Sequence, residues 1–507
     1  MTSAPVLVGI ETEFGIARDD HPELDVVAES IALVRSATIP GVLMRWDYAA
    51  ENPHRDMRGF EVEELRQDHD ESNYFAQDAR RELSFAEIKS DLVFSNGARF
   101  YNDHAHPEYC TPECSSFRDL VNHDRAGEQI VMACATELSR QRGSPVRLYK
   151  NNTDFGGHSY GCHENYLVPR QLPWRALSDA IQAFLVTRQV YAGAGKFGWE
   201  EEDRFVGPGF QLAQRSDFFT ELESVDTMQR RPLVNTRDEP HANPELWRRF
   251  HVIIGDANMS PFATWLKTGT TALVLEAILR RPEGPWPTIH QPLRALRSIS
   301  RDPQWRWELT LKNGRPSTAI EVQTAYLDQV RANVDVSSPE RAAVLEAWQS
   351  VLTDLATRPK HCRDRLDWVA KFELLREFQE SEGLTPEDPW LRSLDLEYHL
   401  LDRDQGLYFA LEQAGRMQGV PDPVEVERAI HRPPQDTRAA IRGLCVSKFR
   451  PSILSAQWDH VTLATTRGPL RLDLNDLVAG DEVARVVRHI EAAASPDDLR
   501  FAASGRN

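Results

Sequence analysis

Apolar and polar positions alternate through the opening run VLVGIETEFGI. In an extended strand Val6, Val8, Ile10 and Phe14 share one face, while Glu11 and Glu13 project together from the other. Gly15 and the polar ARDD bound this strand. A second β signal lies in DLVFS and ARFYND, two β-rich runs joined by Asn96-Gly97, which predicts a hairpin closed by a type I′ turn. Its second strand puts Arg99, Tyr101 and Asp103 on one face and Phe100 and Asn102 on the other. From about Ser116 to Arg142 the period becomes helical, with Val131, Cys134 and Leu138 in register. VRLYKNN and HENYLV read as further strands about a turn rich in glycine (Gly156, Gly157, Gly161). Residues 174–193 and 338–357 read as amphipathic helices, the first ending in glycines and the second starting on serine and proline.

Residues 41–80 are charged, carry Pro53 and Gly59, and show no clean period. They read as a long, partly mobile loop of the kind that is functional or disordered inside a compact domain. Pro433-Pro434 marks a junction, and residues 432–507 read as a small α+β unit that includes the helix DEVARVVRHIEAAA. Strand runs followed by a long helical stretch predict the α+β class, with a catalytic domain over 1–431 and a small C-terminal domain over 432–507.

Composition narrows the functional classes. The chain has 507 residues, 41% of them hydrophobic, enough to bury a substantial core. A net charge of −18 argues against non-specific binding to nucleic acid or anionic membrane, yet leaves room for a local basic pocket. No apolar run approaches a membrane span and the start lacks a signal peptide, so the expected location is the cytoplasm. Six scattered cysteines without a CxxC are expected to be reduced and structural.

Several side chains carry candidate chemistry. Glu11 and Glu13 on one strand face repel each other unless a cation intervenes, and hard divalent ions such as magnesium take such oxygen ligands; a solvated strand face is the alternative. Asp103, if its strand lies nearby, is a candidate ligand, general base or nucleophile, or else caps a turn. His104 and His106 share parity, but no further histidine pair with zinc spacing accompanies them, so packing or orientation of Asp103 competes with metal binding. Arg215 and Arg237 are placed to hold a phosphoryl group against the carboxylates, or to form surface ion pairs; His241 lies in the motif of Arg237. Neither a P-loop nor a GxGxxG fingerprint occurs, so any nucleotide must be held by another fold.

The motifs GIETEFG, NGARFYNDHAHPEYCTPEC, YKNN…SYGCHENYLV, QRSDF, NTRDEPHA and HVIIGDANM…LKTGTTALVL, with PPQDTRA…RG…WDHV further on, together resemble the enzymes of bacterial pupylation. These are the ligase and the deamidase/depupylase acting on Pup, a prokaryotic ubiquitin-like protein, in the carboxylate-amine ligase superfamily related to glutamine synthetase. The RWDYAAENPHRDMRGF insertion and the His104-Ala105-His106-Pro107-Glu108 run are similar to the depupylase branch; the ligase is the alternative.

The resemblance implies a large domain with a curved, mainly antiparallel sheet cradle backed by helices, plus a small C-terminal domain. It implies ATP, or ADP plus phosphate, as bound cofactor together with Mg2+. It implies Glu11, Glu13, Tyr101 and Glu108 as metal-side residues, Asp103 as the catalytic aspartate, and Arg215, Arg237 and His241 as cofactor-binding residues. Roles for Asn152, His163 and Glu164 are less defined by it, and adenine contacts are expected from the TRAAIRG or QWDHV stretches. The implied reaction is amide hydrolysis: deamidation of Pup's terminal glutamine and cleavage of its isopeptide bond to substrate lysines. The implied partners are Pup and pupylated proteins, with a link to the bacterial proteasome; a monomer is expected. Because Pup is disordered and acidic, its association with a chain of −18 is expected to weaken little with salt.

Overall fold

The computed structural model describes residues 7–499, apart from 22, 40, 44, 50, 66–81, 202–203 and 229–230. Its centre is a seven-stranded sheet: β1 (Val8–Glu13), β2 (Gly41–Leu43), β3 (Leu92–Phe94), β4 (Arg99–Asp103), β5 (His106–Cys110), β6 (Cys162–Pro169) and β7 (Trp247–Gly255). The spatial order is β7-β6-β1-β5-β4-β3-β2, and every neighbouring pair is antiparallel.

The alternation in β1 is resolved by packing on one side. Val8 and Ile10 are buried with Tyr166, Val168, Phe250 and Val252 from β6 and β7. Against this face lie the helices α4 (Trp174–Thr187), α5 (Pro261–Arg280), α6 (Ala319–Asn333) and α7 (Pro339–Thr357), preceded in the chain by α1 (Val26–Arg35), α2 (Phe85–Lys89) and α3 (Phe117–Arg142). Ser116 caps α3 by accepting from the Asp119 amide, and Gly143 ends it in the left-handed region, so the expected boundaries hold. Leu33, Phe100, Tyr109, Ile130, Val131 and Leu138 form a second cluster under the other half of the sheet. A third cluster belongs to α8 (Arg438–Phe449), α9 (Asp481–Ala492) and the strands between them. Mixed helices and an antiparallel sheet match the expected α+β class. Among the described residues no helix is long and apolar enough to cross a membrane, and all six cysteines are buried and unpaired.

Two expectations need correction. The hairpin between β3 and β4 forms, but not through a type I′ turn: Gly97 has φ +79° and Asn96 is not left-handed. The Phe94 amide donates to the Ala98 carbonyl (3.0 Å) and the Gly97 amide to the Phe94 carbonyl (2.9 Å), which makes a three-residue loop with glycine at its left-handed position. Asn96 spends its side chain instead, accepting from the Ala98 amide (3.0 Å) and donating to the Ala429 carbonyl (2.9 Å). Nor are residues 41–65 a loop. Gly41–Leu43 is the sheet edge, Arg45–Trp46 pairs in parallel with Ile453–Gln457, and Arg55–Asp56 pairs with Phe60–Glu61. These strands are too short to show a period, and each packs against a different part of the molecule. Residues 66–80 of the expected loop lie outside the described residues.

Candidate active site

Strand register assembles the site. Glu13 stands opposite Glu108, Glu11 opposite both Cys110 and His163, Tyr101 opposite Glu108, and Asp103 opposite His106. Opposed residues share a face, so the polar parities of β1, β4, β5 and β6 converge on the side away from the helices. Pro107 sits inside β5, paired with Asn102, and not in a turn; the turn is His104-Ala105, with His104 at φ +54°.

Glu13, Asp103 and Glu108 bring carboxylate oxygens within 4.8 Å of one another. The Tyr101 hydroxyl donates to Glu108 Oε1 (3.0 Å), and the Cys110 thiol lies 3.2 Å from the same oxygen. Burial, then repulsion from Asp103, Glu11 and Glu13, pushes the Glu108 carboxyl far above the usual carboxylate range. A three-carboxylate corner under that strain has the hard-oxygen chemistry that suits magnesium, and a cation there would relieve it. Glu11 does not join this corner. It falls into a second triad with His163 and His251, whose ligand atoms also lie within 4.8 Å of one another. Asn165 donates to Glu11 Oε1 (3.0 Å), while His163 Nδ1 (3.4 Å) and Arg249 (3.6 Å) flank it.

Cations ring the two triads. Lys89 donates to Asp103 Oδ1 (2.7 Å). Burial would raise the Asp103 carboxyl, but Lys89 and then His104 outweigh it and hold the group ionised, far below its ordinary range. The Arg99 guanidinium pairs with Asp91 and lies between the rings of Tyr101 (3.7 Å) and Trp46 (4.1 Å). Neither arginine forms the expected surface ion pair: Arg215 is buried, and Arg237 is half-buried with its side chain 19% exposed. Arg215 donates to Ser159 Oγ (3.0 Å) and to backbone carbonyls, while Asp217, its sequence neighbour, pairs with Arg301 and Lys196. The nearest carboxylate to Arg237 is Glu239 at 3.9 Å, and its Nε has no hydrogen-bond partner among the described residues. A buried Nε–H left unmet on a half-buried guanidinium fits a phosphate oxygen. Burial lowers both arginines, with Glu13 opposing it at Arg215 and Glu239 at Arg237.

Beside Glu11 opens a pocket lined by Gly9, Asn165, His241, Arg249, Arg438 and Trp458 among others. Arg438 belongs to TRAAIRG and Trp458 to QWDHV, so both stretches named from the sequence reach it. His241 is half-buried there among Arg249, Arg438 and Arg99, and desolvation first, then these charges, hold its imidazole well below its ordinary range. His106 instead stacks on Tyr160 at 4.4 Å, and His104 lies 3.9 Å from Asp103. The two do not form a shared metal site.

Residues 6–462 match the family described as Pup-ligase protein. The chain belongs to that family. Within it, the depupylase of Acidothermus cellulolyticus is 44% identical over 470 residues, covering 90% of each chain. The Pup deamidase/depupylase of Mycobacterium tuberculosis is 40% identical over 480 residues, again covering 90% of each. The Pup–protein ligase of Kineococcus radiotolerans is 40% identical over 386 residues, 74% of this chain and 84% of its own. Among solved structures, the complex of Pup with its ligase PafA superposes with a TM-score of 0.77 at 28% identity, covering 99% of this chain and 96% of that one. PafA in complex with ADP gives 0.72 at 30% identity, covering 85% and 97%.

Reading the sequence of this Pup-ligase family member missed Lys89, Arg249 and the meeting of His163 with His251. Parity does put Arg249 and His251 on one face of a strand, but pointing them at Glu11 requires β6 to stand between β1 and β7. Lys89 comes from a short exposed helix without a motif of its own.

Proposed function

We propose that this chain is a nucleotide-dependent hydrolase of amide and isopeptide bonds on Pup, acting in the cytoplasm. It converts the C-terminal glutamine of Pup to glutamate and releases Pup from substrate lysines. The observation that carries this reading is the position of Asp103: an ionised carboxylate held by Lys89 at the rim of an acidic corner, on the sheet face where Glu11 borders a pocket lined by Arg249, Arg438 and Trp458. Relatives named for depupylation match it along more of its length than the ligase relative does.

Glu13 and Glu108, with the Tyr101 phenol on Glu108, would hold magnesium; Glu11, with His163 and His251, would hold a second cation. Magnesium, when bound, supplies a positive field that steadies phosphate and oxyanion charge. The unmet donor of Arg237 and the buried Arg215 would grip the terminal phosphate of ATP, or ADP plus phosphate. Arg438, Trp458 and His241 would enclose the base and sugar. Asp103 then attacks the γ-carbonyl of Pup's last residue directly, or acts as base for attack by another oxygen. In the direct case an acyl-aspartate forms, the amine departs as ammonia or lysine, and water cleaves the anhydride. The arginines stabilise the oxyanion in both cases. Pup and pupylated proteins are the partners, the activity is functionally linked to the bacterial proteasome, and the chain works as a monomer.

The test is direct. Glutamine-ending Pup and ATP should give ammonia, and a Pup–lysine conjugate should be cleaved. Conjugate formation from glutamate-ending Pup would identify a ligase instead. Asp103→Asn should keep nucleotide and Pup affinity while turnover falls by at least about 10³-fold, the size expected for loss of the group that attacks. Turnover that stays near wild type would sink the assignment.

A further inference from the structure

Among the described residues, Lys89 makes the shortest cation contact with Asp103, and its own helix is tied down at both ends. Its Nζ lies 2.7 Å from Asp103 Oδ1, and its side chain is only 15% exposed. His104 approaches the same oxygen at 3.9 Å, so both contacts fall on Oδ1. Helix α2, which carries Lys89, is five residues long, too short to hold itself in water. A capping box closes its start: the Glu87 amide donates to Ser84 Oγ (3.3 Å) and the Ser84 amide to Glu87 Oε2 (2.8 Å). At its end Arg35 of α1 donates to the Glu87 carbonyl (2.9 Å) and to Ser90 Oγ (3.1 Å), and Ser90 turns left-handed at φ +50°. Asn102, the residue before Asp103, donates to the Ile88 carbonyl, the residue before Lys89 (3.2 Å). Helix and strand are thus bonded side by side, one residue from the contact they serve.

Asp103 shares a corner with Glu13 and Glu108, and its short contact with Lys89 is what fixes its carboxylate there. We propose that Lys89 is the positioning residue of the reaction: it locks the Asp103 rotamer by occupying Oδ1 and leaves the other oxygen to meet the substrate carbonyl. This rests on the hydrolase reading given under Proposed function. A lysine serving only as counter-charge to the acidic corner would act on cation and nucleotide binding, not on the rate of the bound complex.

The test uses the full-length protein with Pup–lysine conjugate, ATP and magnesium. Lys89→Met should lower kcat by about 10- to 100-fold, the loss expected when an attacking group is misplaced. The KM for the conjugate and the Kd for Mg-ATP should stay within about twofold. Lys89→Arg, which keeps a cation at that spot, should recover at least about tenfold of the lost rate. Should Met fail to fold, as judged by thermal melts, Lys89→Gln keeps the test open. A kcat within twofold of wild type overturns the role, as does an equal loss in Mg-ATP affinity or an arginine variant as slow as methionine. Wild-type protein that cleaves no conjugate would instead overturn the hydrolase reading itself, before any variant is compared.

Discussion

Glu113 meets two arginines of α8 at once: Arg438 Nε lies 2.7 Å from its Oε1, and Arg442 takes the other oxygen. Burial alone would raise this carboxyl, but Arg442 and Arg438 pull it down to about 2. A folded pKa below the unfolded value stabilises the protein above the unfolded pKa, and that stability is lost as pH falls from 4.5 through 2. The shift corresponds to about 3 kcal/mol at neutral pH. Glu113→Gln should therefore lower the melting temperature at pH 7, and the gap from wild type should close as the melts are repeated toward pH 3. A gap that stays constant with pH would show that packing, not charge, is what the substitution removes. Residue types were legible here only where a motif surrounded them. Glu11, Glu13, Asp103 and Arg237 could be singled out, whereas Glu113, though it closes the motif NGARFYNDHAHPEYCTPEC, carries no local hint that its partners lie more than 300 positions away.

At the scale of elements, the Asn-Gly hairpin does more than set register. The Gly97 carbonyl accepts from Arg442 Nε (3.0 Å) and Nη2 (2.8 Å), and a side chain on Gly443 would come within 2.2 Å of the Ser95 carbonyl. The loop between β3 and β4 is therefore the seat of α8, which delivers Arg438 to the pocket. Gly443→Ala should push α8 off this seat at a cost of about 1–3 kcal/mol, the usual size for overpacking a buried contact. The expected readouts are a lower melting temperature and weaker Mg-ATP binding, with the rate at saturating ATP less affected. Unchanged nucleotide affinity would separate the seam from the pocket. The segment expected as a loop is also structural where it is described. The backbone of Asp56 forms an antiparallel β-bridge with that of Arg237, and the Asp56 carboxylate accepts from Thr236 Oγ1 (2.6 Å), so the insertion braces the arginine whose donor is unmet.

For the whole molecule, net charge decides how a partner arrives. A chain of −18 repels an acidic partner at long range, while the local cations Lys89, Arg99 and Arg249 are already matched against carboxylates. Affinity for Pup should fall less than about threefold, or rise, as salt goes from about 50 to 300 mM, because screening removes repulsion along with attraction. Titrations at several salt concentrations check this; a steep loss would mean that a basic groove guides the partner in.

The sequence by itself determined what is local or shared with relatives: alternation in β1, the hairpin at Asn96-Gly97, the caps of α3, and the motifs of the Pup-ligase family. These follow from spacing along one stretch of chain, where the geometry of strand and helix is enough. Tertiary structure decided which carboxylates meet. Glu11 and Glu13 lie two residues apart and looked like one pair, yet the neighbours of β1 split them, Glu13 to Asp103 and Glu108 on one side and Glu11 to His163 and His251 on the other. Lys89 reached Asp103 in the same way, through a helix fastened to the strand by Asn102. Strand order and register are set by pairing between distant segments, and no spacing within either segment records which partner it will have.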